Sequence, residues 1–192
     1  MGPQACAEGR RMRVADVELV LGGARSGKSS YALELAKTHG DQVSWIATAE
    51  ALDDDMRQRI ARHRAERPAA WRTVEAPLAL AEAIEQEAAD GRCAVVDCLT
   101  LWLSNCLLLA ASPSHPDAWF KFRDALFSVV PTARGKLLLV SNEVGCGIVP
   151  DNALARRFRD EAGWLHQALA ARIPRVTLVV AGIAVPVKRA SA

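Results

Sequence analysis

The sequence predicts an α/β fold, a mainly parallel sheet with helices on both faces. Three observations predict it. Short, nearly continuous apolar runs alternate with helical stretches along the chain. Strands that are apolar on both sides belong in a parallel sheet covered on both faces. Next, Gly22-Gly23-Ala24-Arg25-Ser26-Gly27-Lys28-Ser29 fits the phosphate-loop pattern of glycine, four residues, glycine, lysine, then serine or threonine. Finally, Asp97 ends an apolar strand, where phosphate-loop proteins place an acidic residue. The loop narrows the expectation to the P-loop NTPase-like (RecA-like) form of the fold.

Val17–Leu21 reads as the first strand, and residues 30–36 as the helix after the phosphate loop. Val43–Ala47 is a second buried strand. Asp53–Arg67 is charged and helical in composition, and Pro68 ends it. Trp71–Val74 is a short strand. Pro77–Ala89 has helix-forming composition with Pro77 in the first turn. Ala94–Asp97 is the third strong strand; residues 99–110 and 119–130 are apolar helices. Residues 111–117, with two prolines, are the most loop-like interior segment. Lys136–Ser141 is a strand, and a helix opens at Pro150 or Asp151 and runs to about Arg172. Val176–Val180 is a central strand; Gly182 turns the chain into residues 184–187, where Pro186 marks an edge.

The chain has 192 residues, of which 51% are hydrophobic. That suits one folded domain with a substantial core, here residues 15–192. Residues 1–14 lack an apolar signal core and read as a flexible extension; Met12 is an alternative start. A net charge of +2 speaks against a nucleic-acid protein. No apolar run reaches the roughly 18 residues of a membrane span. The five cysteines have no zinc-site spacing, so reduced, mostly buried thiols of a cytoplasmic protein are expected.

A glycine-rich turn lets successive backbone N–H groups curl around a phosphate at the positive end of a helix. Lys28 then reaches the outer phosphates, and the Ser29 hydroxyl ligates Mg²⁺. Asp97 has two readings: it holds Mg²⁺, or it caps the helix beginning at Leu99. Arginines cluster at positions 57, 59, 62, 64, 67 and 72, as a solvated helix face or as partners for nucleotide phosphates. His63 lies among them. It reads either as a surface histidine or as an imidazole that attacks phosphorus to form a phosphoramidate. Of the four histidines, His39, His115 and His166 lack that arginine-rich setting.

Residues 22–29 resemble the opening loop of the bifunctional adenosylcobinamide kinase / adenosylcobinamide-phosphate guanylyltransferases of cobalamin biosynthesis. The resemblance continues through Ile46-Ala47-Thr48-Ala49, residues 52–56, Arg59 to His63, Arg67-Pro68 and residues 71–75. It resumes at Leu99 to Asn105, at Asn142-Glu143-Val144-Gly145-Cys146-Gly147-Ile148-Val149-Pro150, at Arg156 to Gly163 and at residues 179–183. It spans roughly Val17 to Lys188.

The resemblance implies two reactions. ATP or GTP phosphorylates the hydroxyl of adenosylcobinamide; GTP then donates GMP to adenosylcobinamide phosphate, giving adenosylcobinamide-GDP. It implies that GMP rides on a histidine, and the matching position is His63, which here follows Arg62 where some relatives have a second histidine. Nucleotide contacts carry over to Gly22, Gly23, Ala24, Arg25, Ser26, Gly27, Lys28 and Ser29, and to Ala47, Thr48 and Ala49. They extend to Arg64, Ala65, Glu66 and Arg67, where some relatives read Lys-Asp-Gly-Arg, and to Glu75 and Asp97, the latter a glutamate in some relatives. The resemblance also implies a homotrimer. The loop over residues 142–150 reads equally as a structural turn, a corrinoid contact or a subunit contact.

Two rivals stand beside this reading. One is a phosphate-loop small-molecule kinase with no covalent intermediate, which leaves His63 without a role. The other is a regulatory GTP switch. The chain has no Asn-Lys-x-Asp guanine motif, and Asp160-Glu161-Ala162-Gly163 falls inside a late helix instead of after an early strand.

Overall fold

The computed structural model describes residues 15–50 and 54–190. Its strands are β1 (Asp16–Gly22), β2 (Val43–Ala47), β3 (Arg72–Glu75), β4 (Cys93–Asp97), β5 (Lys136–Asn142), β6 (Arg175–Val180) and β7 (Ile183–Lys188). Its helices are α1 (Lys28–Lys37), α2 (Asp54–Ala65), α3 (Leu80–Glu87), α4 (Leu99–Ala110), α5 (Ala118–Val129) and α6 (Ala153–Arg172). One sheet runs in the order β3-β2-β4-β5-β1-β6-β7. Pairing is parallel from β3 to β6. β7 closes the edge antiparallel to β6, and Pro186 lies in it as the sequence predicts. This is the mainly parallel, RecA-like sheet expected, with β5 inserted between the phosphate-loop strand and the strand that ends at Asp97.

The period of two along each strand sends alternate side chains to two separate cores. Val17, Leu19, Ile46, Val96, Leu137 and Leu139 point to one face, which α3, α4, α5 and α6 cover. Val43, Trp45, Val95, Leu138 and Val140 point to the other, where Ala32 and Ala36 of α1 pack. Two tryptophans anchor the larger core, Trp102 of α4 and Trp119 of α5, edge to face with centroids 5.7 Å apart. Their polar edges are satisfied: Trp102 Nε1 donates to Leu78 O, and Trp119 Nε1 donates to buried Glu161. Glu18, buried inside β1, accepts from Tyr31 and Thr177. Such partners are what a buried carboxylate requires. Glu161 also shows that the Asp160-to-Gly163 segment lies within α6 and serves packing.

Several boundaries differ from expectation for local reasons. α3 starts at Leu80, so Pro77 precedes the helix instead of opening it. The Pro77 and Leu78 carbonyls are taken by Asn105 and Trp102 of α4, which hold those residues in a turn. Trp71 lies just before β3. α6 begins at Ala153 because Asn152 caps it, its side chain accepting from Ala155 N at 2.7 Å. Asp53, expected in α2, lies outside the described residues, as do residues 1–14. The described thiols of Cys93, Cys98 and Cys106 are free and buried, and Cys146 is free and exposed. Burial pushes Cys106 up to about 12 and Cys93 up to about 11, so both stay protonated.

Candidate active site

Two glycines set the path of the phosphate loop. Gly27, immediately before α1, has φ of 96°, which strains any residue with a Cβ. At Gly22 an added Cβ would meet Val179 O at 2.6 Å and also strike the Ser26 side chain. Gly182, in the β6–β7 turn, donates its N–H to Ser26 O at 2.8 Å and braces the loop from outside. Lys28 is buried in the first turn of α1, with Nζ 3.1 Å from Gly23 O. Ser29 follows it in the same turn.

A cavity of about 360 Å³ opens where the carboxyl ends of the strands meet this loop, the usual binding edge of an open parallel sheet. Lys28, Ser29, Ala47, Ala49, His63, Arg64, Arg67, Glu75 and Asp97 all line it. Five separate segments therefore converge: the start of α1, the end of α2, and the ends of β2, β3 and β4. Gly22, Gly23, Ala24, Arg25, Ser26 and Gly27 form the loop leading into α1. None of these six lines the cavity, and neither do Thr48, Ala65 and Glu66. Thr48 is fully buried behind it, where its hydroxyl donates to Cys98 O (2.8 Å) and accepts from Cys98 N (2.9 Å).

Asp97 does not cap α4. The residue before that helix is Cys98, whose side chain makes no capping bond, and Asp97 faces the cavity. The Ser29 hydroxyl and the Asp97 carboxylate are hard oxygen donors on one cavity. Among the described residues no cluster of three or more His, Cys, Asp or Glu could hold a metal unaided. That donor set suits Mg²⁺, which is usually held by one or two protein oxygens, substrate phosphates and water.

His63 sits in the last turn of α2, about one-third exposed, with Nδ1 3.9 Å from Glu66 Oε2. Arg67 lies half-buried beyond the helix, its guanidinium carbon 4.4 Å from the Trp45 ring centroid. Burial pulls its pKa down, and the charge of Asp97 pushes it back up. The rest of the arginine cluster divides. Arg64 reaches the cavity, whereas Arg57 pairs with Asp54 and Arg72 with buried Glu87.

Sequence reasoning missed four contributors. Asn105 of α4 donates to Thr48 O (2.9 Å) and Pro77 O (3.1 Å), tying together two walls of the cavity. Its signal was an amide on a mostly apolar helix, which must find buried partners. Asn142, at the end of β5, lines the cavity and donates to Thr100. Cys98 and Leu101 supply apolar wall. A second cavity of about 360 Å³ lies at the amino ends of β1, β4 and β5. Its charged side chains are paired, as in Lys136–Asp16 (3.1 Å) and Arg92–Glu87 (3.5 Å).

Residues 18–187 match the cobinamide kinase / cobinamide phosphate guanyltransferase family. The chain belongs to that family. Three relatives agree with it along nearly their whole lengths. The chain is 56% identical to the bifunctional adenosylcobalamin biosynthesis protein CobP of Pseudomonas aeruginosa, over 89% of this chain and 96% of the relative. It is 41% identical to the bifunctional adenosylcobalamin biosynthesis protein CobU of Escherichia coli, over 88% and 98% respectively. The CobU of Salmonella typhimurium gives the same identity and shares. A member of this family is a transferase of cobalamin biosynthesis. Among the described residues no helix is long and apolar enough to cross a membrane.

Proposed function

We propose that this cavity carries out two successive transfers on the corrinoid side chain. In the first, the hydroxyl of adenosylcobinamide attacks the γ-phosphorus of ATP or GTP. The O–P bond forms, the bond to the β-phosphate oxygen breaks, the nucleoside diphosphate leaves, and the hydroxyl proton passes to solvent. Lys28 and the backbone N–H groups of residues 22–29 offset the phosphate charge. Ser29 and Asp97 would hold Mg²⁺, which supplies charge neutralisation at the outer phosphates when bound.

In the second transfer, a ring nitrogen of His63 attacks the α-phosphorus of GTP. An N–P bond forms and pyrophosphate leaves. A phosphate oxygen of adenosylcobinamide phosphate then attacks the same phosphorus, the N–P bond breaks, and adenosylcobinamide-GDP forms while the imidazole is regenerated. His63 lines the cavity, and one of its ring nitrogens supplies the attacking lone pair. Arg64 and Arg67 stabilise the charge that builds on the α-phosphate oxygens.

The observation that supports this reading is the convergence of Lys28, Ser29, His63 and Asp97 on one cavity. Surface location alone gives His63 no reason to share a wall with the phosphate loop. The test is His63→Ala assayed for both reactions. Loss of GMP transfer with phosphorylation of adenosylcobinamide retained is the expected result. Retention of GMP transfer overturns the nucleophile assignment, and equal loss of both reactions makes His63 a nucleotide-binding residue instead.

A further inference from the structure

Arg67 does not reach the cavity as a free side chain. Trp45 of β2 lies under it, and Trp71 lies under Trp45, with ring centroids 6.2 Å apart and planes 18° apart. The three groups form one stack rising from the second core to the cavity wall. Its base is fixed. Trp45 is anchored by the pairing of β2 with β3 and β4, and Trp71 Nε1 donates to Gly40 O at 2.9 Å. Both rings are buried. The top is poised: Arg67 Nε is buried and has no hydrogen-bond partner. The same tryptophan also lines a narrow cleft between α1 and the end of α2, together with Ser29, His63, Glu66 and Arg67.

A guanidinium stacked on an indole gains cation–π attraction and loses rotamer freedom before a ligand arrives. The chain between His63 and Arg67 is short and internally bonded: Glu66 N donates to Arg62 O and Arg67 N to Arg64 O. Fixing Arg67 therefore also fixes the end of α2 that presents His63. Arg67 lines the cavity, and its buried Nε keeps an unused donor that a small shift toward an anionic oxygen would satisfy.

We infer that Trp45, backed by Trp71, is a positioning residue for GMP transfer, holding Arg67 and the end of α2 in the geometry of attack on the α-phosphate. This rests on the two-step reading above, and it assigns to a core tryptophan a role in one of the two reactions only. Phosphorylation of the hydroxyl uses the γ-phosphate, which the phosphate loop itself positions. It therefore depends much less on the stack.

The test uses the full chain with Trp45→Phe and Trp45→Leu. Phe keeps a smaller aromatic face, and Leu keeps only apolar volume. Both are assayed for phosphorylation of adenosylcobinamide and for covalent GMP labelling by GTP carrying label at the α-phosphate. A misplacement of the order of an ångström costs up to about 100-fold in a positioned reaction. The labelling rate should thus fall about 10- to 100-fold in Trp45→Leu and less in Trp45→Phe, with phosphorylation kept within about twofold. In an Arg67→Ala background, Trp45→Leu should add little further loss, because its effect passes through Arg67. Equal falls in both reactions, or no fall in labelling, overturn the inference, and Trp45→Phe decides the matter if Trp45→Leu does not fold. Failure of the wild-type protein to take label refutes the two-step reading itself and is thereby told apart from failure of the stack.

Discussion

Thr48→Val removes one hydroxyl from behind the cavity and changes little else, since the two side chains have nearly the same shape. The structure sets the size of the effect. The Thr48 hydroxyl donates to Cys98 O and accepts from Cys98 N, and all three groups are buried. Cys98 O keeps a second donor, Trp102 N at 3.2 Å, so the substitution leaves only the buried Cys98 N–H without its partner. Leaving a buried donor or acceptor unpaired costs about 1–3 kcal/mol each. The one orphaned N–H thus predicts a loss of about 1–3 kcal/mol, centred near 2. For a chain of this size, each kcal/mol moves the midpoint by about 2–4 °C, so a fall of about 4–8 °C in Tm is expected. The residue that Cys98 follows is Asp97, so release of this tether should also raise the Mg²⁺ concentration needed for turnover. Thr48→Ser restores the hydroxyl and should recover most of both losses. Thermal and urea unfolding measure the first effect, and a Mg²⁺ titration of activity measures the second. A destabilisation below about 0.5 kcal/mol would refute the reasoning, because it would mean that the Cys98 N–H finds another partner.

Lys28→Ala should abolish both transfers while leaving the fold intact, since one phosphate loop serves both; full phosphorylation activity in the variant contradicts a shared site. Asp97→Asn should weaken activity most at limiting Mg²⁺ and leave urea unfolding nearly unchanged. Gly27→Ala places a Cβ at φ of 96° and 3.1 Å from Gly182 Cα, so a stability loss of about 1–2 kcal/mol and weaker nucleotide binding are expected from calorimetry. His166 is buried beside Ser141, 2.7 Å away, and burial lowers its pKa while Glu143 partly opposes the shift. The unfolded chain therefore binds the proton first as pH falls below about 6.5, and stability is lost from there downward at no more than about 1.4 kcal/mol per pH unit. His166→Gln should flatten that part of the Tm-against-pH curve; an unchanged slope assigns the acid sensitivity to other groups.

Local and periodic features were legible in the sequence. The phosphate loop carries its own geometry in Gly22, Gly27 and Lys28. The strands announced themselves because both of their faces are buried, which leaves runs such as Leu137 to Val140 uniformly apolar. What escaped the sequence is non-local. Pro77 looked like a helix start because its composition fits one; its place in a turn is set by Asn105 and Trp102, far along the chain. Nothing near Trp45 in sequence reveals that Arg67 lies over it. The insertion of β5 between β1 and β4 is likewise a matter of pairing, not of any one segment. His63 shows both limits. Its arginine-rich setting drew notice from the sequence, yet only the fold brings it to a wall shared with Lys28, Ser29 and Asp97.

The central claim is that His63 carries GMP between GTP and the corrinoid. Intact-mass measurement of wild-type and His63→Ala protein after incubation with GTP and Mg²⁺, without corrinoid, tests it most directly. The account predicts one added GMP per wild-type chain, located on His63 by peptide mapping, lost in acid and kept in base as a phosphoramidate is, and discharged by adenosylcobinamide phosphate. It predicts no adduct on His63→Ala. An adduct that persists on the His63→Ala protein, or one that survives acid, would contradict it.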